Sequence, residues 1–348
     1  MRILVVSDAW LPQVNGVVRT LDILRRELQR DGHEVVMVTP DRFRTLPCPT
    51  YPEIRLAVRP GRLVARLIEA AQPCAIHIAT EGPLGWAARR YCLRRRLPFT
   101  TAYHTKFPEY IKARFRVPLK LSYAVMRRFH AASSRVMVAT QGIESELLER
   151  GFHRIGRWSR GVDTDLFHPR AEARGEAGPF AGLARPIFLY VGRVAVEKNV
   201  QAFLDLDLPG TKAVVGAGPQ LEDLRRRHPG VHFAGARFGE DLARHYAAAD
   251  VFVFPSRTDT FGLVLLEALA SGLPVAAYPV PGPLDVIGSS PVGRLDEDLR
   301  AAALAALEAD PALCRAYALE FSWAASTRQF IENLAPFETT RWQEPMPA

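Results

Sequence analysis

FPSRTDTFGLVLLEALASGLP, from Phe254 to Pro274, is the stretch whose reading decides the fold. It grows out of an apolar run, Ala248-Ala249-Asp250-Val251-Phe252-Val253-Phe254, which reads as a buried parallel strand. Pro255 and Ser256 open a polar bend. After Gly262, the residues Leu263, Leu266, Leu269 and Ala270 recur at helical spacing, and Gly272 and Pro274 stop the helix. This strand, loop and helix carry two carboxylates, Asp259 before the helix and Glu267 inside it. The N–H groups of Phe261, Gly262 and Leu263 at the helix start would face outward without acceptors, which makes an anion site. Gly262 would let a ligand approach the backbone closely. A plain strand-to-helix connection with solvated acids fits this stretch equally well, so the rest of the chain decides.

The chain has 348 residues, enough for two domains of ordinary size, and 48% of them are hydrophobic. No apolar run approaches the ~20 residues of a membrane span. The opening MRILVVSDAW reads as a buried first strand and not as a signal peptide, so the expected place is the cytoplasm. Cys48, Cys74, Cys92 and Cys314 show no metal-binding spacing and read as inert thiols. Charge is uneven. Residues 1–166 hold 28 lysines and arginines against 15 acids, a net +13, while residues 167–348 carry a net −5. The first half should therefore meet an acidic partner: a membrane surface, nucleic acid or an anionic metabolite.

From the start, residues 2–6 form a strand, Ser7 to Gly16 a loop, Val17 to Arg30 a helix and Val35 to Val38 a second strand. This unit opens a doubly wound parallel sheet. Its loop lacks the GxGxxG fingerprint and holds only Gly16, at the helix start, where a phosphate or sugar could come close. Leu46 to Pro52 is proline-rich and reads as a loop. Glu81-Gly82-Pro83-Leu84-Gly85 follows a strand at its carboxyl end, where open sheets place ligands. A helix from Trp86 to Arg96 ends in three arginines, and His104 leaves the strand Phe99–Tyr103. Lys112 to Phe129 mixes Lys112, Arg114, Arg116, Lys120, Arg127 and Arg128 with Phe115, Leu119, Leu121, Tyr123, Met126 and Phe129, and Pro118 could begin a helix there. A basic amphipathic helix suits a membrane surface. The competing reading is a core helix, with Leu121, Val125 and Phe129 as its buried stripe. Residues 155–182 read as a linker, and Asp163-Thr164-Asp165 is discounted as a metal motif because it lies there. The α/β alternation then restarts at Pro186–Val191. The tail Glu344–Ala348 reads as disordered.

The second half resembles the retaining glycosyltransferases of the GT-B architecture, specifically glycosyltransferase family four. Val191-Gly192-Arg193 with Glu197-Lys198, then Val215-Gly216-Ala217-Gly218-Pro219, then Ser256 to Ala268 carry the resemblance. Asn15-Gly16, His104 and Arg160-Gly161-Val162-Asp163 extend it over nearly all the chain. In look the chain is nearest to bacterial enzymes that glycosylate diacylglycerol or phosphatidylinositol. The resemblance implies an α/β fold of two Rossmann-like doubly wound domains facing a cleft. The first would span 1–166, with a C-terminal helix at 322–340 packing back on it; the second would span 167–321 and bind the nucleotide sugar. It implies that Arg193 and Lys198 bind the donor diphosphate, that Phe261, Gly262 and Leu263 offer backbone N–H groups, and that Glu267 takes the ribose hydroxyls. Asp259 stands where the family has the first glutamate of E-x7-E and would hold sugar hydroxyls. Gly235 and Arg237 would lie near the base. Gly16 would let the first-domain loop close over the donor, and His104 would hydrogen-bond the donor sugar. No metal and no cofactor is implied; the donor is a uridine diphosphate sugar, with guanosine diphosphate mannose open.

Three functions follow from these readings. The first is a retaining transferase, peripheral on the inner face of the cell membrane, that moves a hexose or hexuronate to a lipid such as diacylglycerol. Its partners are the donor, the lipid acceptor and an anionic membrane surface, but not nucleic acid. The second is a soluble or polysaccharide-building transferase. The third is a non-transferase, either a nucleotide-sugar epimerase or a basic nucleic-acid-binding protein; no recognised nucleic-acid fold supports the latter.

Overall fold

The computed structural model describes residues 1–13, 15–48, 51–115, 118–259 and 261–343. The tail at 344–348, Arg116 of the basic segment and Thr260 of the opening stretch lie outside the described residues, as do the side chains of Arg114 and Phe115. The chain forms two α/β units: Met1–Ser159 with Trp323–Ala348, and Arg160–Ser322.

The first unit is built on a six-stranded parallel sheet in the order Glu34–Val38, Arg2–Val6, Ala75–Ile78, Thr100–Ala102, Arg135–Val138, Ile155–Arg157. The two central strands are buried along their whole length, His77, Thr100 and Thr101 included, because helices cover both faces. Leu21, Leu24 and Leu28 of the Gly16–Arg30 helix pack with Ile3 and Val5 on one face, and Val64, Leu84 and Phe129 pack with Leu4 and Val6 on the other. The Asn15 side chain caps the first of these helices, accepting from Val17 and Val18 N–H at 3.0 Å each. The Trp323–Asn333 helix belongs to this core. Phe330 is fully buried beside Trp158, and Asn333 Nδ2 donates to the Arg157 carbonyl at 2.7 Å. Ser326 is taken up there too, accepting from Trp158 Nε1 and donating to the Ser159 carbonyl.

Three sequence readings need correction in this unit. Leu46 to Pro52 is not a plain loop: Thr45–Cys48 and Tyr51–Ala57 pair as an antiparallel ribbon, where an isolated edge tolerates proline. Ile155–Arg157 is the sixth strand and not linker; it pairs through its backbone with Val136 to Val138. A helix at Phe107–Phe115 precedes the one that Pro118 opens at Leu119–His130. In that second helix Leu121 and Val125 are 60% and 48% exposed, and only Phe129 of the expected stripe is buried. The buried face is Tyr123, Met126 and Phe129, with Ser122 and His130, so the helix does pack on the core, through a stripe other than the expected one.

The second unit repeats the plan in the order His232–Gly235, Thr211–Val215, Ile187–Val191, Val251–Phe254, Val275–Ala277, Gly293–Leu295, all parallel. The strand order reverses between Ile187–Val191 and Val251–Phe254, and such a switch leaves a crevice outside the strands' carboxyl ends. Two loops flank it, Gly192 to Asn199 and Pro255 to Gly262. Among the described residues no helix is long and apolar enough to cross a membrane.

Candidate active site

The loop after Ile187–Val191 is held by its neighbour. Gly192 N–H donates to Val215 O at 3.0 Å, Val194 N–H to Ala217 O at 2.9 Å, and Gln220 N–H to Val194 O at 3.1 Å. This is what Val215 to Pro219 does structurally. A Cβ on Gly216 would stand 1.8 Å from the Gly192 carbonyl oxygen, and one on Gly218 would stand 2.3 Å from that of Val194. Only glycine permits such backbone contact. The loop so pressed presents Arg193, half-buried, with its carbonyl accepting from the Tyr190 hydroxyl at 2.8 Å. Burial lowers the Arg193 guanidinium below its ordinary value, and the charge of Glu197 opposes that shift.

The same loop is tied to the stretch that follows Val251–Phe254. Asn199 Nδ2 donates to Pro255 O at 3.1 Å, and Thr258 Oγ1 to Glu197 O at 3.1 Å. Across this junction Lys198 Nζ forms an ion pair with Asp259 Oδ1. Beyond it Gly262 adopts φ +84° and starts the Leu263–Ala270 helix, whose first N–H groups have no intrahelical acceptor. Phe254 Cζ would lie 3.1 Å from a Cβ at Gly262, so an L side chain there would be both strained and crowded. Glu267 is only 3% exposed and accepts from the Tyr246 hydroxyl at 3.0 Å.

The second unit thus brings Arg193, Lys198, Asp259, Phe261, Gly262, Leu263 and Glu267 to the carboxyl end of one sheet. Gly235, with φ +75°, ends the edge strand, and its carbonyl accepts from Gly216 N–H at 2.9 Å. Arg237 is exposed and lies 3.4 Å from Asp241. Gly16 and His104 belong to the other unit. Gly16 opens a helix whose first donors Asn15 already satisfies, and His104 leaves Thr100–Ala102 with its ring edge-on to Trp158 at 5.5 Å. Asp163 Oδ1 accepts from Leu166 N–H at 3.0 Å, the bond of a turn.

Sequence reasoning missed three supporting residues. Tyr246 orients Glu267, yet looks like one more apolar position on its helix. Gly282 lies against the carbonyls of Asp259 and Phe261, 3.0 and 3.1 Å from where its Cβ would be; its place between Pro281 and Pro283 was the available signal. Asp8 accepts from Leu84 N–H at 2.8 Å, Gly85 N–H at 3.2 Å and Thr80 Oγ1 at 3.0 Å, at the switch point of the first sheet. Burial outweighs those bonds and pushes its carboxyl up to about 6.

Residues 14–166 match the family model described as Glycosyltransferase Family 4, and residues 185–309 match Glycosyl transferases group 1. A GDP-mannose-dependent alpha-mannosyltransferase of Mycobacterium tuberculosis is 31% identical over 85% of this chain and 83% of its own. The alpha-monoglucosyldiacylglycerol synthase of Streptococcus pneumoniae is 28% identical over 89% of this chain and 79% of its own. Among solved structures, sucrose-phosphate synthase from Thermosynechococcus elongatus superposes with a TM-score of 0.73 at 23% identity, covering 95% of this chain and 97% of that one. That likeness concerns the fold, which is the GT-B pair of parallel-sheet units.

Proposed function

The chain belongs to glycosyltransferase family 4 and is a glycosyltransferase, and on that premise we propose that it moves a hexose or hexuronate from a nucleotide diphosphate sugar to a lipid hydroxyl at a membrane surface, with retention at the anomeric carbon. The supporting observation is the meeting of Arg193, Lys198 and Asp259 with the Phe261–Leu263 helix start at one topological switch point. A bound donor would draw Lys198 onto its diphosphate and leave Asp259 to the sugar hydroxyls. Glu267, buried and held by Tyr246, would accept from the ribose. In the reaction the bond from the anomeric carbon to the diphosphate oxygen breaks as the acceptor oxygen bonds to that carbon. The acceptor proton passes to an oxygen of the leaving phosphate. Arg193, Lys198 and the helix-start N–H groups stabilise the charge that builds there, in a half-buried site where such contacts are strong. No metal is given a part, because two side-chain cations already oppose the diphosphate. His104 would hydrogen-bond the donor sugar and is assigned no nucleophilic role.

Three features support a lipid acceptor and peripheral attachment at the inner face of the membrane: the +13 charge of residues 1–166, the exposed Leu121 and Val125, and the similarity to the alpha-monoglucosyldiacylglycerol synthase of Streptococcus pneumoniae. Each basic residue near an anionic bilayer adds about 1 kcal/mol. Diacylglycerol is the first acceptor to try. A second reading, mannose from GDP-mannose, is favoured by the Mycobacterium relative. The test incubates UDP-glucose, UDP-glucuronate and GDP-mannose in turn with membrane lipid extract and reads products by mass and by the NMR coupling of the new anomeric proton. A glycosylated lipid that keeps the donor's configuration is expected. Product from GDP-mannose alone would select the second reading, and a product of inverted configuration would refute retention.

A further inference from the structure

Two neighbouring helices of the first unit differ in charge pattern from the Gly16–Arg30 and Leu221–Arg227 helices. On those, arginines stand beside acids: Arg25 and Arg26 with Asp22, Arg30 with Glu27, Arg225 with Glu222, Arg226 and Arg227 with Asp223. The Pro83–Arg94 and Leu119–His130 helices contain no acid at all. They border a cavity of about 220 Å³ lined by Trp86, Arg89, Arg90, Leu93, Arg94 and Arg128.

Arg89 has a structural duty in this cavity. Its Nε and Nη2 donate to the carbonyl oxygens of Phe129 and Arg128 at 2.8 and 2.7 Å, and its guanidinium lies 5.3 Å from the centre of the Trp86 ring. These bonds occupy carbonyls at the negative end of the Leu119–His130 helix, which would otherwise disfavour an anion. Burial first, and the charge of Arg128 second, lower Arg89 below its ordinary value. Among the described residues no carboxylate pairs with Arg90, Arg94 or Arg128.

The surroundings are apolar. Leu93, on the cavity wall, is 45% exposed. On the second helix the outward face reads Leu121, Ala124, Val125 and Arg128 at three- and four-residue steps, so exposed apolar side chains lead up to a cavity arginine. Guanidinium groups match phosphate oxygens in geometry, and an apolar border suits a phosphate that carries acyl chains. We propose that this cavity binds the phosphodiester of an anionic glycerophospholipid in the bilayer surface, with Arg90, Arg94 and Arg128 on the phosphate and Leu93, Leu121 and Val125 entering the acyl boundary. This rests on the membrane-surface reading above and adds to it a defined headgroup site.

Sedimentation with vesicles, with no sugar donor present, tests the site. The vesicles are phosphatidylcholine alone, or phosphatidylcholine mixed with phosphatidylglycerol. The native protein should sediment with the mixed vesicles and much less with phosphatidylcholine alone. The triple variant Arg90→Gln, Arg94→Gln, Arg128→Gln should bind the mixed vesicles at least about tenfold more weakly. A second triple variant, Arg42→Gln, Arg62→Gln, Arg66→Gln, loses the same charge from exposed positions elsewhere in the unit and should bind nearly as the native protein does. Equal losses in both variants would overturn the site in favour of net charge. Equal binding to both vesicle types would overturn the anionic ligand. Release by inorganic phosphate at the concentration of lipid phosphate would overturn the bilayer as its source. Because turnover is not read, vesicle binding in a protein that glycosylates no lipid would sink the lipid-acceptor reading and leave this site standing.

Discussion

Glu267 and Tyr246 form the most local part of the proposed donor site. The carboxylate is buried, and the phenol hydroxyl 3.0 Å away holds it from behind. Hydrogen bonds to charged groups contribute about 1.5–3 kcal/mol. Tyr246→Phe should therefore raise the KM for donor about tenfold and change kcat little; an unchanged KM in steady-state assays would remove Tyr246 from the site. Asp8 offers a test in the other unit. Burial raises its carboxyl from 3.8 to about 6, so the folded protein holds a proton that the unfolded chain has released in that interval. Its contribution to stability is complete below about pH 4 and is lost as pH rises through about 6, a change on the order of 3 kcal/mol. Denaturant titrations from about pH 4 to pH 7 should show this decline in the native protein, and a flatter curve in Asp8→Asn; parallel curves would contradict the assignment.

At the scale of elements, the two glycine contacts between loops carry the argument. Gly216→Ala would place a methyl 1.8 Å from the Gly192 carbonyl oxygen, which a backbone shift must relieve just before Arg193. A loss of about 1–3 kcal/mol in stability is expected, with kcat/KM falling more than tenfold; full activity would show that the loop tolerates displacement. The strand, bend and helix around Asp259 and Glu267 were legible because apolar runs, a glycine and helical spacing are local patterns. Arg193 and Lys198 were legible as two cations after a strand. Val215 to Pro219 was visible as a glycine motif, but what its glycines touch was not, since that contact joins two separate loops. Ile155–Arg157 was hidden for a related reason: Ile-Gly-Arg has no apolar run, and pairing with the strand at Arg135–Val138 makes it a strand. Asp8 reaches a helix start far along the chain, and the amino acids around it carry no sign of that. Leu121 and Val125 shared a helical stripe with Phe129, and periodicity alone did not show where that stripe leaves the core.

For the whole molecule, the path of the chain makes the first unit depend on the last helix. Phe330 is fully buried among Ile3, Val5, Leu21 and Trp158, so Phe330→Ala should cost about 3–5 kcal/mol. Removing everything after Ser322 should prevent the first unit from folding, read as loss of its cooperative melting transition; an unchanged transition would contradict this account of the core. The groups proposed to bind the donor, Arg193, Lys198, Asp259 and Glu267, by contrast, all belong to the unit between Arg160 and Ser322. On the proposed mechanism, sugar transfer depends on this switch-point cluster. The most direct measurement is single-turnover transfer from a labelled nucleotide sugar to extracted lipid, comparing the native protein with Lys198→Ala. Labelled lipid is expected from the native protein and a rate lower by about 10²–10³ in the variant, with its cooperative melting transition retained; native-like transfer by Lys198→Ala would overturn the proposed mechanism.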